Sequence, residues 1–344
     1  MNRTLIAFLT LALLACGEKI YLGVALPLTG SKANRGTDIL QALQLRVEQI
    51  NAADGLDGRK IELIVKDDKS DKEAARQAAF ELGADERVLA VIGHYDSSMA
   101  IAARPEYEKA GLVVYSPAAG APEFTAGSDL TYSGTYSDAL QAENMAVYIQ
   151  NVLQAKNVTV LASDEPHGVV GGRAFASKSD RTGLRYVLRP LSQAAGAGAG
   201  ADAVVILSHA DLGQKALREL RDSGYSGTVL ISDRASTDII EKLELKYKKD
   251  TLIAFPFLYD LADFVAVDFS RDYQKRFGKE PSVWAALALD GLHLLSTAAA
   301  KGNSREAVRK ALGAMQSKDS GGDGLTGKVF FDKEGSAIRP ATVV

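Results

Sequence analysis

Short apolar strands alternate with amphipathic helices along most of the chain, and this alternation limits the folds open to it. The apolar strand 20–26 precedes a helix predicted over 38–50, in which Ile39, Leu43 and Val47 fall on one stripe. Further strand and helix pairs follow in the same order. This pattern predicts an α/β fold, built from parallel, doubly wound sheets with right-handed crossovers.

Two such lobes are expected. The chain has 344 residues, which is longer than a chain that folds around a single hydrophobic core usually is. The strand and helix pattern restarts with a helix predicted over 139–153. Three late helices, near 262–277, 283–301 and 305–315, must then rejoin one of the two lobes.

The segment 193–200, QAAGAGAG, interrupts the pattern where a crossover helix belongs. A glycine in a helix interior costs about 1 kcal/mol relative to alanine. We interpret the segment as a loop that replaces a lost or shortened helix. A strained but regular helix is the alternative.

Composition and motifs argue against several functional classes. The net charge is −3, and no basic tract suggests a nucleic-acid partner. We find neither a His/Cys cluster at metal-ligand spacing nor a phosphate-binding loop, and we therefore expect no cofactor and no metal.

The N-terminus has the pattern of an export signal. Arg3 precedes a short apolar run over 5–14, which ends at Ala15 and at Cys16, the only cysteine. The run is shorter than the roughly 20 residues of a membrane-spanning helix. The string LLACGE is typical of a lipoprotein signal, so we expect residues 1–15 to be removed and Cys16 to carry a lipid anchor. A plain secretory signal with an incidental cysteine is the alternative.

Two loops follow predicted strands at the edge where ligands bind in doubly wound sheets. One is 93–98, in which Ser97 would lie at a helix N-terminus suited to a carboxylate. The other is 116–122, rich in small residues, with backbone groups exposed for an ammonium and a carboxylate. Together they favour a zwitterionic ligand. Alternatively, Ser97 only caps its helix.

The strings VALPLTG, VIGHYDSS, SPAAGAPEFT and GLTGKVFFDKEG resemble, in this order, the periplasmic leucine/isoleucine/valine-binding protein family. The resemblance covers nearly all of 19–344. It implies the type 1 periplasmic binding fold, with two lobes joined by a three-strand hinge that close on an amino-acid-like ligand. It also implies a monomer, localised to the periplasm or the cell surface, that delivers its ligand to an ABC-type permease.

Lobe boundaries also follow from the resemblance. It implies a first lobe of 19–135 and 258–325, and a second lobe of 136–257 and 326–344.

Four ligand contacts are implied by the same resemblance. Ser97 matches a serine that holds the ligand carboxylate, and Ala118 an alanine whose carbonyl accepts from the ammonium. Gly120 stands where the family usually has threonine or serine, so only its N–H remains. Asp233 stands where the second lobe offers a glutamate to the ammonium, and a solvated loop carboxylate is the alternative.

Other positions depart further from the family. Arg35 and His167 occupy mouth positions, Arg35 at one that is often tyrosine, and Ser208 replaces an aromatic residue beside His209. These replacements suggest a polar or acidic amino acid, or another small carboxylate, with Arg35 pairing to its distal end. A surface arginine without a ligand role is the alternative. Tyr95 is a further pocket candidate.

Three rival functions stay open. An enzyme on the same scaffold could use the histidines that follow strands, but no motif brings a nucleophile, an acid and a base together. A receptor of the same fold could sense the ligand without transporting it. A degenerate protein, no longer binding tightly, would fit the glycine-rich gap.

Overall fold

A computed structural model describes residues 19–339 and 342–343, except 209, 233–242, 258 and 260–263. The described residues form two compact units. The first holds 19–119, 123–134 and 264–337, and the second holds 120–122, 135–259 and 338–343. Apart from 120–122, the chain passes from one unit to the other three times, as the family resemblance implies.

The first unit contains a five-stranded parallel sheet in the order β2-β1-β3-β4-β5. Its strands are β1 Ile20–Leu26, β2 Ile61–Asp67, β3 Val88–Gly93, β4 Val113–Ser116 and β5 Thr131–Ser133, with a small antiparallel pair, β11 Gly322–Gly324 and β12 Gly327–Val329. Its helices are α1 Ala33–Ala52, α2 Lys72–Ala84, α3 Ser97–Ala110, α4 Pro122–Thr125 (which begins at the unit boundary), α9 Phe264–Phe277, α10 Val283–Gly302 and α11 Arg305–Gly313.

Local sequence explains where these helices begin. Asp71 caps α2, because its carboxylate accepts from the N–H groups of Glu73 and Ala74. The buried side of α2 is mostly alanine, so the helix packs close to the sheet. Helix α1 begins at Ala33, five residues before the predicted start. Gly36 permits this, since a Cβ there would lie 2.1 Å from the carbonyl oxygen of Pro27.

Helix α10 is the central helix of the first unit. Ser282 caps it by accepting from the N–H of Ala285. A Cβ at Gly291 would lie 2.4 Å from the Tyr115 ring, so glycine lets α10 pack directly on β4. Within the described part of the chain, α10 is one helix long and apolar enough to cross a membrane, but 78% of that apolar window is buried inside the protein.

The second unit contains a six-stranded sheet in the order β13-β10-β9-β8-β6-β7, parallel except for β13. Its strands are β6 Asn157–Ala162, β7 Arg185–Pro190, β8 Ala203–Leu207, β9 Thr228–Ser232, β10 Thr251–Phe255 and β13 Thr342–Val343. Its helices are α5 Asp138–Asn151, α6 Pro166–Thr182, α7 Ala210–Asp222 and α8 Leu245–Lys248.

The glycine-rich segment crosses from β7 to β8 without an α-helix. A 3₁₀ turn, Leu191–Gln193, leads into consecutive turns that end at Gly200, which confirms the loop interpretation and makes the helix alternative wrong. Ala194 and Ala197 are buried in the hydrophobic core between the sheet and helix α7. A Cβ at Gly198 would lie 2.1 Å from the ring of Tyr225, so the glycine admits that aromatic ring.

One predicted boundary needs correction. Residues 326–337, expected in the second lobe, belong to the first unit. Thr326 donates to both carboxylate oxygens of Asp290 in α10, at 2.9 Å from its N–H and 2.6 Å from its hydroxyl. The Phe331 ring packs against Tyr132 at 4.8 Å. These contacts hold the segment to α10 and β5.

Candidate functional site

The strand order of the first unit creates a crevice at the carboxyl ends of β1 and β3. The chain leaves β1 through α1 on one face of the sheet and leaves β3 through α3, which shares the opposite face with α2. Ligands of doubly wound sheets bind where the strand order reverses in this way. The loop 93–98 therefore lies where the fold favours binding.

Ser97 is the first residue of α3, as the sequence predicts. The cap of this helix is Asp96, whose Oδ1 accepts from the N–H of Ser98 at 2.9 Å and from its hydroxyl at 2.7 Å. The alternative that Ser97 serves as the helix cap is therefore wrong. Ser97 is half-buried. It lies at the N-terminus of a 14-residue helix, where the helix dipole favours an anion.

A fully buried polar network fixes the loop before Ser97. His94 Nδ1 lies 2.7 Å from Asp68 Oδ2, and His94 Nε2 lies 3.1 Å from the Tyr107 hydroxyl. Burial, with the negative charge of Asp68 adding to it, raises the pKa of Tyr107, so its hydroxyl keeps its proton. The network joins the ends of β2 and β3 to α3.

Ser116 links this buried polar network to the second predicted loop. Its hydroxyl donates to the carbonyl oxygen of His94 at 2.6 Å and accepts from the N–H groups of Ala118 and Ala119 at 3.3 and 2.9 Å. Ala118 is 2% exposed. Gly120, also buried, groups with the second unit. The structure thus ties the Ala118 loop to the His94 loop.

Asp67 organises the loop after β1. Its carboxylate accepts from the N–H groups of Leu28, Thr29 and Lys69 and from the Thr29 hydroxyl, at 2.6–3.2 Å. Partial burial raises the pKa of Asp67, but these hydrogen bonds outweigh it and hold the pKa below its ordinary value.

Arg35 and Tyr95 also lie at this edge of the first unit. Arg35 falls in the first turn of α1, directly after the loop that Asp67 holds, and is half-buried. A cation is unfavourable at a helix N-terminus. Tyr95 meets the Trp284 ring edge to face, with centroids 6.1 Å apart. The structure therefore brings Ser97, Tyr95 and Arg35 to one edge of one sheet.

The second unit has its own crevice, at the carboxyl ends of β6 and β8. Helix α6 follows β6 on one face and α7 follows β8 on the other. Ser163 and Ser208 come directly after these strands, and the Ser163 N–H donates to the Leu207 carbonyl at 3.1 Å. Ser208 is fully buried, and its carbonyl accepts from the Ser232 hydroxyl at 3.3 Å.

His167 lies in the first turn of α6 but faces the protein interior. The residue is 3% exposed, with Nε2 3.1 Å from the Ser232 hydroxyl and Nδ1 3.0 Å from Asp138 Oδ1. Both ring nitrogens thus have protein neighbours at polar-contact distance. His167 therefore stabilises the ends of β9 and α5, and its predicted contact with a ligand stays a prediction.

Three predicted residues, Cys16, His209 and Asp233, lie outside the described residues. Conversely, the groups that hold the loops were not predicted; they are Asp67, Asp68 and Ser116. Two consecutive aspartates at the end of a strand were the available signal, because acidic side chains at that edge readily cap neighbouring loops. Nothing in the sequence pairs Asp68 with His94, which lies 26 residues away.

The sequence matches the family described as periplasmic binding protein over residues 19–344, and the chain belongs to that family. Two solved structures have the same fold. An ABC transporter substrate-binding protein from Desulfitobacterium hafniense, in complex with Leu, has a TM-score of 0.81 and 25% identity, and the match covers 95% of this chain and 97% of that one. A leucine binding protein from Thermotoga maritima has a TM-score of 0.77 and 25% identity, with 94% of each chain covered.

Curated relatives agree with this family. The amino acid binding protein of Pseudomonas aeruginosa is 31% identical over 173 residues, 49% of this chain and 46% of that protein. Leu/Ile/Val-binding protein homolog 7 of Brucella melitensis is 26% identical over 363 residues, 92% of this chain and 87% of that protein. The match spans about half the length of the first curated relatives, 46% and 47%. The predicted family and the α/β fold class are confirmed.

Proposed function

We propose that this protein binds an amino acid or a related small carboxylate and delivers it to an ABC-type permease. The position of Ser97 carries the proposal. It opens α3 beside the crevice of the first unit, while Asp96 performs the capping. A ligand carboxylate at this point gains the helix dipole and the backbone N–H groups of the first turn.

Preorganisation supports the same conclusion. The Ser97 loop and the Ala118 loop are both held by Ser116 and by the buried contacts of His94. Loops fixed before binding lose little entropy on binding, which raises affinity. The names of the relatives point to amino acids as ligands, and several relatives are transporter components.

The charges at these edges bear on the chemistry of the ligand. Arg35 offers a cation at the same edge of the first unit, and Ser208 brings no aromatic surface to the edge of the second. We expect a ligand with a polar or acidic distal group, whose charge Arg35 pairs. In the second unit, Asp233 would meet the ammonium.

Export and anchoring complete the proposal. The basic start, the short apolar run and the single cysteine at position 16 support removal of residues 1–15 and lipidation of Cys16. A single acyl chain binds a membrane weakly, whereas several chains anchor a protein stably. The lipid on Cys16 would keep a soluble binding domain at a membrane outside the cytoplasm. A metabolic label for fatty acid tests this: it should enter the wild-type protein and not Cys16→Ala.

A thermal-shift screen of the refolded protein tests ligand binding, since refolding removes ligand carried through purification. The panel holds the twenty amino acids, small dicarboxylates and aromatic acids. A ligand at 100 times its Kd adds about 2.7 kcal/mol to the free energy of unfolding. We expect a shift with amino acids or small carboxylates.

Ser97→Ala is the decisive variant and Ser98→Ala its matched control. Loss of a hydrogen bond to a charged ligand group should weaken binding about tenfold or more. The Ser98 hydroxyl donates to Asp96, so Ser98→Ala should bind like the wild type. Equal affinity of both variants would reject the proposed site, and no shift with any panel member would reject the ligand class.

A further inference from the structure

The second unit carries a groove that the proposed function does not use. It lies between helix α6 and the end of strand β7 and has a volume of about 650 Å³. Small-molecule pockets usually occupy about 300–1,000 Å³. Gly168 and Gly172 line it on the side of α6, and Leu188 and Pro190 line it on the side of β7.

The lining of the groove is apolar with a charged rim. Val169, Leu188 and Leu191 contribute apolar surface. Arg173 and Arg189 stand on the rim, and within the described part of the chain neither arginine has an ion-pair or hydrogen-bond partner. Asp164 is the single acidic group of the lining, so the rim carries one net positive charge.

A buried hydroxyl, that of Ser163, borders the groove. Ser163 is 4% exposed, and its hydroxyl has no hydrogen-bond partner among the described residues. It lies against Gly168, another lining residue, where a Cβ would come within 2.4 Å of its Oγ. Buried hydroxyls are normally satisfied, so the unsatisfied Ser163 hydroxyl shows that the packing beneath the groove is incomplete.

We propose that this groove is a second ligand site, which takes a small monocarboxylate with an apolar body. The apolar walls contact the apolar body of the ligand, and the two arginines pair with its carboxylate. A guanidinium group binds a carboxylate through two parallel hydrogen bonds, which suits it better to this role than an ammonium group. The Asp164 carboxylate selects against a second negative charge. The groove is lined by residues of the second unit alone, and it shares Ser163 with the crevice described above.

The probe is 4-methylpentanoate, which has an apolar body and no ammonium, with neutral 4-methylpentanamide as its control. Calorimetry measures affinity, and amide NMR shifts locate the bound probe. We expect saturable binding of the acid, at least about tenfold tighter than the amide. The amide signals of Gly168 and Gly172 should shift, and that of Ser97 should not.

The variant Arg173→Gln/Arg189→Gln should weaken binding about tenfold or more, because the charged hydrogen bonds are lost. Arg185→Gln, an exposed arginine on the same strand outside the groove, is the matched control and should bind like the wild type.

Three results would overturn the proposal: no saturable binding, wild-type affinity in the double arginine variant, or shifts at Ser97 in place of the two glycines. Amino-acid binding measured in parallel keeps this test separate from the first proposal. That binding should survive the double arginine variant and weaken in Ser97→Ala.

Discussion

The two units have the same kind of sheet but hold their carboxyl edges differently. In the first unit a hydrogen-bonded pair with both side chains at 0% exposure, Asp68 and His94, fixes the loops. In the second unit the corresponding pair, Asp138 and His167, is 9% and 3% exposed. There the crossover after β7 has also lost its α-helix. The first unit therefore holds its edge with a fully buried contact, whereas the second has a slightly exposed contact and a crossover without an α-helix.

This difference separates two ways of building a binding edge. Buried hydrogen-bonded networks rigidify a site when every member is satisfied. An edge strand without a covering helix on one face instead leaves room for a groove.

Asp68→Asn should reduce the free energy of unfolding by about 2–3 kcal/mol, because it replaces the buried carboxylate that lies 2.7 Å from His94 Nδ1. Asp138→Asn, its counterpart in the second unit, should cost about 1–2 kcal/mol, since water reaches that pair more easily. Urea denaturation measures both. Equal costs would contradict the contrast between the two edges.

Acid should weaken the first unit through His293 in α10. Burial, and next the charge of Arg46, lowers its pKa from 6.5 to about 4, and Arg46 Nε donates to its Nε2 at 3.0 Å. Between these pH values the unfolded state binds a proton that the folded state does not. The free energy of unfolding therefore has its full value above pH 6.5. It falls by about 2–3 kcal/mol as the pH falls towards 4.

His293→Gln should remove this pH dependence, because glutamine accepts from Arg46 without titrating in that range. The measurement is the difference in unfolding free energy between variant and wild type from pH 7 to about pH 4. A difference that does not change with pH would show that His293 is not buried as described.

Gly291→Ala should destabilise the protein by about 1–3 kcal/mol, because the added methyl group meets the Tyr115 ring inside the core. Gly198→Ala meets the ring of Tyr225, which is only partly buried, so its cost should be lower. Thermal unfolding of the two variants compares them directly. A larger cost at Gly198 would show that the turn segment is packed as tightly as α10.

Val187→Thr should have the smallest effect, within about 0.5 kcal/mol. Val187 lies on edge strand β7 and is 52% exposed, since no α-helix covers it. A similar change at a buried strand valine, Val91→Thr, should cost more than about 1 kcal/mol, because it buries a hydroxyl. Equal costs would mean that β7 is covered in solution.

Much of the fold was predictable because its signals are local. Strand and helix alternation gave the α/β class, and the three glycines of 193–200 indicated a missing crossover helix. The early start of α1 was not predictable, since it depends on the close approach of Gly36 to Pro27. The position of 326–337 was also missed, because Asp290 and Thr326 meet only in the folded unit.

For the candidate site, the sequence by itself determined which residues follow strands and which open helices, so Ser97 and the loop 116–122 could be named. Only the tertiary structure decided what holds them. Asp68, His94 and Ser116 come from three different strand ends, and the strand order brings those ends together. Contacts between distant residues depend on that order, which single-residue preferences do not encode.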